Sequence, residues 1–538
     1  MKTKNKKKLK IDRKKLKEQL NLTKIKLQKK RDEIFAKVRP IRQKAFFSRT
    51  LLLVLGLLIN VALIVLLLVF LKGTVSYWIF VVLSMLEIIF ILNREGSSVL
   101  KISWIVILAV LPVFGGLFYL FVQIQQSIYR KRRNIPAQQA LAQSHLQGSE
   151  IEKDSVAGYL TSACGFPAYT GTDVKFYPLG DDFLPAMTEE LKSAEKYIFM
   201  EFFIISPGKV WDEILKVLIE RSLAGVKVYL MFDGMNTISS LPKDYAKTLT
   251  ENGINCRVFA PVVPLISTEQ NNRDHRKICV IDGKVAYTGG CNLADEYANL
   301  IVRFGHWKDS AARFEGLAVQ GLASLFMQMW NADAAQDGGE LLDYALLESM
   351  NTPVNAPGWM IPYGDSPLDS ERVGENVYIG FLNNAKNYVH IYTPYLVLGD
   401  QMLQALEYTA RRGVEVKLIL PHIPDKPYAF YLAHSYYGEL LRSGVRIFEY
   451  TPGFVHSKEF ISDDAIATIG TINLDFRSLY QHFENGVYMR DVPAIGQMEK
   501  DFQETLEKCE EFTMKDLEEY PKWKMAFGKV VRIFAPMF

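Results

Sequence analysis

The sequence predicts an α/β protein: two similar lobes related by a pseudo-twofold, each a mixed sheet flanked by helices, behind an N-terminal helical membrane region. Three observations carry that reading. At 538 residues the chain is too long for one ordinary domain. Its apolar residues, 49% of the chain against 23% charged, exceed what a soluble protein of that charge needs. They must be concentrated somewhere, and three apolar runs lie before residue 123. Beyond residue 170 the chain repeats itself. AEKYIFMEFF (194–203) answers AKNYVHIYTP (385–394), GVKVYLMFD (225–233) answers GVEVKLILP (413–421), and NGINCRVFAP (252–261) answers SGVRIFEYTP (443–452). Both halves run helix, strand, helix, strand, strand, then a polar hairpin. The period is far too long for a solenoid.

Residues 1–49 carry 20 Lys and Arg against 4 Asp and Glu. Such a tail is drawn to anionic lipid or nucleic acid, or simply stays in the cytoplasm and sets membrane orientation. A membrane region follows over 50–134. Its first run, 51–71, is 21 uncharged and almost wholly apolar residues, long enough to cross a bilayer and too deep in the chain for a cleaved signal peptide. The second, 77–93, holds one charge, Glu87. The third, 102–122, is broken by Pro112 and by Gly115-Gly116. Three full crossings would put everything after residue 122 outside, yet Arg130, Lys131, Arg132 and Arg133 are an inside signal. Either the third run is re-entrant or one of the first two does not fully cross; both alternatives leave the rest of the chain in the cytoplasm. Residues 135–169, rich in Gln, Ala and Ser, read as a linker or short helix. The lobes span 170–345 and 355–512. The amphipathic tail, 513–538, mixes Lys524, Lys529 and Arg532 with aromatics, as an interfacial helix or a helix packed on the lobes would. The five cysteines are odd in number and form no C-x-x-C pair, which suggests neither a disulfide framework nor a zinc ribbon and fits a reducing compartment.

The chemistry lies in the hairpins. From Asp274 to Asn292 the chain reads as a strand, a tight turn at Asp282-Gly283 and a second strand ending in a Gly-Gly corner. Alternation puts His275 and Lys277 on one face. An imidazole beside an ammonium suits an anionic, phosphate-bearing substrate: one attacks or moves a proton, the other neutralises charge. Asn292 adds a neutral donor. The second half repeats the pattern with His456, Lys458, Asp463, Gly470 and Asn473, so both copies read H-x-K-x-x-x-x-D and continue to a glycine and an asparagine. An ordinary amphipathic hairpin would not be duplicated with its polar positions kept and its apolar filler changed. The lysines would repel a cation and no H-x-x-x-H or acidic cluster accompanies them, so no metal and no cofactor is expected. His422, His434 and His482 stand alone and read as surface or packing residues.

These paired motifs resemble those of the phospholipase D superfamily. With the apolar runs, the chain over 50–538 resembles the bacterial cardiolipin synthases within it, although that family usually shows two predicted spans, one fewer than the runs here. The resemblance implies one site shared by two phospholipase D-like lobes, with His275 and His456 on opposite sides of a phosphate and Lys277, Lys458, Asn292 and Asn473 around its oxygens. It implies a two-step transfer, which the residue types alone only permit. His275 attacks phosphorus to form a phosphohistidine; His456 protonates the departing alcohol and then activates the incoming one. Asp309 and Glu484 correspond when the repeats are aligned, and they resemble the family's acids that orient the imidazoles. Asp282 and Asp463 join the catalytic set, although they fall at hairpin turns. Ala311 departs from the family, whose members tend to have a histidine there, which would reshape the rim of the first lobe. The implied activity is transfer of a phosphatidyl group from one phosphatidylglycerol to another, with phosphatidylglycerol as both donor and acceptor. The expected place is the anionic phospholipid of a bacterial plasma membrane, multi-pass, with the catalytic lobes in the cytoplasm. A phospholipase D-type hydrolase, or a transphosphatidylase with another acceptor, needs the same residues. Nucleic-acid phosphodiesterases share the motifs but gain nothing from apolar runs, so nucleic acid is not expected as a partner. Nothing in the sequence sets the oligomeric state.

Overall fold

The computed structural model describes residues 23–40, 62, 66, 75–94, 98–133, 135–261, 271–369 and 371–535. Each lobe is built on one mixed sheet. In the first, β1 (Thr172–Tyr177), β2 (Tyr197–Phe202), β3 (Lys227–Asp233), β4 (Asn255–Phe259), β5 (Lys277–Ile281), β6 (Val285–Gly289) and β8 (Ala311–Gly316) stand in the order β1-β8-β6-β5-β2-β3-β4. The intervening β7 (His306–Lys308) lies outside that sheet. In the second lobe the strands are β9 (Trp359–Asp365), β10 (Tyr388–Tyr392), β11 (Glu415–Pro421), β12 (Arg446–Tyr450), β14 (Glu459–Ser462), β15 (Ile466–Gly470) and β16 (Glu484–Arg490). Their order, β9-β16-β15-β14-β10-β11-β12, repeats the first, with β17 (Cys509–Phe512) added at the edge. Strands β2, β3 and β4 are parallel, as are β10, β11 and β12, and the remaining neighbours are antiparallel. The duplicated sequence is a duplicated topology.

Strand β2 shows why these residues make central strands. Alternate side chains go to opposite faces, and both faces are buried. Ile198, Met200 and Phe202 belong to the outer core with Trp211, Ile214 and Leu218 of the helix Lys209–Leu223. Phe199 points the other way and stacks on Phe326 at 4.8 Å. Each such side chain taken from water contributes about 1.5–3 kcal/mol. Phe326 lies on the helix Val319–Asp337, buried along nearly its whole length. That helix belongs to the core cluster that also holds both sheets' inner residues, so it is buried all round rather than amphipathic, with Gln320, Gln328 and Asn331 each donating an internal hydrogen bond.

Two seams join the lobes at the site. Strand β7 pairs parallel with β13 (Gly453–Val455) of the second lobe, and Asp274 bridges to Phe483.

The second half of the basic tail is docked. A helix over 23–38 buries Val38 in the outer core of the first lobe with Ile34 and Phe35 alongside. Lys216 Nζ stands 4.8 Å over the Phe35 ring, Arg31 lies 3.7 Å from Glu220, and Arg39 pairs with Asp212.

The first expected span, 51–71, lies outside the described residues apart from Ala62 and Leu66. The second run is the helix Val75–Asn93. The third is two helices, Ser98–Val110 and Pro112–Arg133. The Trp104 ring lies 5.6 Å from Phe118 and 5.2 Å from Tyr119, whereas a straight helix would set residues fourteen apart about 21 Å from each other. The chain therefore doubles back at Leu111-Pro112, where proline supplies no N–H and disfavours helix in the residue before it. Among the described residues no helix is long and apolar enough to cross a membrane, so the multi-pass expectation finds no support there. The C-terminal helix Lys522–Phe534 packs Gly528 and Arg532 against the helix Pro427–Ser443, with Arg532 2.9 Å from Glu439. Ser103 Oγ donates to Ile533 O at 2.7 Å.

Candidate active site

The two polar hairpins occupy corresponding central positions in their sheets. Their turns need positive φ at two successive residues, supplied by Asp282 (53°) and Gly283 (67°) and by Asp463 (55°) and Asp464 (57°). Asp282 accepts the N–H groups of Glu195 and Lys196 at 2.7 Å and of Tyr197 at 3.0 Å. Asp463 accepts those of Lys386 and Asn387 at 2.8 Å and of Tyr388 at 3.0 Å. Both aspartates sit at the far end of an extended strand from their histidine, about 20 Å away. Their place in the catalytic set is therefore corrected: they tie hairpin turns to the starts of β2 and β10.

The histidines converge from the opposite end, almost fully buried. His275 Nδ1 lies 2.9 Å from Glu484 Oε2, and His456 Nδ1 lies 2.6 Å from Asp309 Oδ2. Each carboxylate comes from the other lobe. The backbone repeats the crossing: His275 N–H donates to Phe483 O at 2.9 Å and His456 N–H to Lys308 O at 2.7 Å, in each case the residue before the acid. The Gly-Gly corner makes room for this. A Cβ on Gly290 would lie 2.0 Å from Asp309 Oδ1.

Lys277 Nζ donates to His275 O at 2.6 Å and stands 5.5 Å over the Phe203 ring. Lys458 Nζ donates to His456 O and lies 2.8 Å from His456 Nδ1. Burial pushes both ammoniums down, Lys277 to about 7 and Lys458 to about 8, against the pull of Glu484 and Asp309. Lys458 also lowers Lys277, so the half-sites share one field. Asn292 accepts Ile204 N–H at 2.9 Å and donates to Tyr297 Oη at 2.7 Å. Asn473 donates to Asp475 at 3.0 Å, and its Oδ1 has no partner among the described residues.

The two imidazole–carboxylate pairs differ in charge. Burial drives His275 down to about 3, with Glu484 opposing and Lys277 adding to the effect. Burial would raise Glu484, but His275 and His482 outweigh it and hold the carboxyl well below its usual range. This pair is an ionised carboxylate on a neutral ring. Burial lifts Asp309 to about 7 against Lys458 and Lys277, while burial and the same two lysines hold His456 well below its usual value. The second pair takes up a proton near neutrality.

His482 belongs to the site, which corrects its reading as a solitary residue. It is buried, its ring lies 5.4 Å from that of His275, and its Nδ1 lies 3.5 Å from Glu484 Oε1. The available signal was its position two residues before Glu484, hence on the same face. Trp307, two residues before Asp309, likewise lies 5.5 Å from His456. His422 bonds Glu449 at 3.0 Å, and His434 packs between the Tyr437 and Tyr520 rings. Ala311 is fully buried beside Gly289 rather than on a rim. One ligand atom each of His275, His482 and Glu484 falls within 4.8 Å of the others, but the Lys277 ammonium beside His275 makes the pocket one for anions.

A family model described as "Cardiolipin synthase, PLD-like domain" matches residues 187–303 and 378–506, one stretch in each lobe. One described as "Phospholipase_D-nuclease N-terminal" matches 78–123. An uncharacterized protein of Streptococcus mutans is 43% identical over 84% of this chain and 99% of its own length. Cardiolipin synthase 2 of Bacillus anthracis is 32% identical over 79% of this chain and 84% of its own. The phosphatidylserine synthase of Haemophilus influenzae superposes with a TM-score of 0.53 at 15% identity, covering 68% of this chain and 93% of that one, a likeness of fold. Motifs, crossed site and relatives agree, and the chain belongs to the cardiolipin synthase family of phospholipase D-like phosphatidyltransferases.

Proposed function

We propose that the chain transfers a phosphatidyl group from one phosphatidylglycerol to another at the bacterial plasma membrane, giving cardiolipin and glycerol through a phosphohistidine on His275. The observation that carries this is the pair of buried imidazoles, each held by a carboxylate of the other lobe, and the environments of the two carboxyls push them in opposite directions, Glu484 down and Asp309 up. Ionised Glu484 accepts the Nδ1–H of His275 and leaves Nε2 with a free lone pair, which suits a nucleophile. At His456, Nδ1 faces both the Lys458 ammonium and an Asp309 carboxyl that holds a proton near neutral pH, so the ring proton sits on Nε2, which suits a general acid. In the first step His275 Nε2 bonds phosphorus, the bond to the glycerol oxygen breaks, and that oxygen takes the His456 Nε2 proton. Asp309 can pass its proton to Nδ1 in its place. In the second step the acceptor hydroxyl gives its proton to His456 Nε2 and its oxygen displaces His275. Lys277 and Lys458 balance phosphate charge throughout.

A membrane setting is supported by the apolar run 51–71 and by the exposed Trp78, Val82, Leu86 and Ile89 of Val75–Asn93. The C-terminal helix adds exposed Trp523, Phe527 and Val530 beside Lys524 and Lys529, an interfacial face for anionic lipid. The test is purified protein with phosphatidylglycerol alone, products read by mass. Cardiolipin with free glycerol is expected; phosphatidic acid alone means a hydrolase, and no product overturns the reading.

A further inference from the structure

We propose that His482 is the positioning residue that holds Glu484, and through it the nucleophile His275, in place; this rests on the transfer reading above. Glu484 Oε2 is committed to His275 Nδ1 at 2.9 Å and to the Thr471 hydroxyl at 2.5 Å. Its Oε1 has no hydrogen-bond partner among the described residues, and neither has either ring nitrogen of His482. These orphans face each other: His482 Nδ1 lies 3.5 Å from Oε1, and all of them are buried. A buried carboxylate oxygen left without a donor is costly, and a small rotation of the His482 ring turns the approach into an Nδ1–H to Oε1 bond. The carboxylate is then gripped at both oxygens and cannot turn, so His275 keeps its Nδ1–H on Oε2 with Nε2 free. The other half-site shows what is special here. Trp307 occupies the matching place beside His456 at 5.5 Å, and Asp309 Oδ1 is taken by the Ser310 N–H instead. Among the described residues, only Glu484 of the two carboxylates faces a second imidazole.

The test compares His482→Phe, which keeps a ring against His275 but has no donor, with His482→Asn, which puts an amide N–H where Nδ1 stands but removes the ring. Full-length protein in phosphatidylglycerol vesicles is mixed with donor labelled on phosphorus and quenched in alkali, and protein-bound label is followed in time. His482→Phe is expected to slow label formation by about 10–100-fold with KM unchanged, and His482→Asn to stay within about threefold of wild type. The reverse ranking marks a packing role and overturns the proposal. Two wild-type rates overturn it as well, as do losses in both variants, whether or not the melting temperature falls. His275→Ala is the separate control. Label retained in that variant takes the phosphohistidine away from His275, the reading on which the proposal rests, whereas a flat His482 series with an unlabelled His275→Ala sinks the proposal alone.

Discussion

Asp309 and Glu484 each hold an imidazole of the opposite lobe, and on the proposed mechanism their protonation divides the work. The proposed first half-reaction needs a neutral His275, its single ring proton on Nδ1, and the Asp309–His456 pair still carrying the proton it takes up near neutrality. Its rate should rise as pH climbs through about 3, where the His275 imidazolium becomes neutral, and fall through about 7, where the Asp309 pair gives up its extra proton. Loss of the Lys277 and Lys458 charges near 7 and 8 steepens the alkaline fall. Asp309→Asn cannot feed a proton to His456, so turnover should drop by about 10²–10⁴-fold and the alkaline limb near 7 should be reshaped; a folded Asp309→Asn enzyme with the wild-type profile removes Asp309 from the site. The histidines separate by leaving group. A donor lipid with an acidic phenol headgroup needs little protonation, so it should partly rescue His456→Ala, read as phenol release, while His275→Ala stays silent with every donor. If His456→Ala carries no phosphate label and His275→Ala does, the roles are reversed.

At the scale of elements, the hairpins show how the motif divides its labour. In H-x-K-x-x-x-x-D the first two polar positions lie at the paired imidazole–carboxylate site and the last anchors the turn at the strand's other end. Asp282→Ala removes an acceptor from three backbone N–H groups and should destabilise the first lobe by about 1–3 kcal/mol. Turnover per folded molecule should hold, as measured by denaturant unfolding beside activity; lost turnover at full stability returns Asp282 to the chemistry. The strand order was legible in the sequence because the chain states it twice, and period-2 alternation placed His275 with Lys277 and His456 with Lys458. The crossing of acids between lobes was not legible. Repeat alignment relates Asp309 to Glu484 but is blind to which histidine each meets, because that depends on β7 leaving its own sheet to pair with β13. His482 was missed for the same reason: its partner, His275, is brought beside it only by the bridge from Asp274 to Phe483.

For the whole molecule, the helix over 23–38 bears on the topology that charge counting left divided. It precedes every apolar run, yet Val38 is buried in the first lobe and Arg39 pairs with Asp212. A segment docked on the lobe lies on the lobe's side of the membrane, so the chain between residues 40 and 135 must cross an even number of times or not at all. The doubling back at Leu111-Pro112 fits that parity, since a run that reverses midway does not cross as one helix. The excess of Lys and Arg in residues 1–49 predicts that the shared side is the cytoplasm. Two measurements check this. Single cysteines in place of Lys24 and Ser149, in a background with the native cysteines replaced, should both resist an impermeant reagent added to intact cells and both react once the membrane is opened. An Arg39→Cys, Asp212→Cys pair should form a disulfide under mild oxidation in membranes, while Arg39→Cys with a cysteine at Lys247, on another helix of the same lobe, should not. Labelling of Ser149→Cys from outside with Lys24→Cys protected would place the lobes across the membrane from the tail, and the docked helix could not then be the resting arrangement. The disulfide with both sites protected fixes the even count and sets the lobes against the inner leaflet.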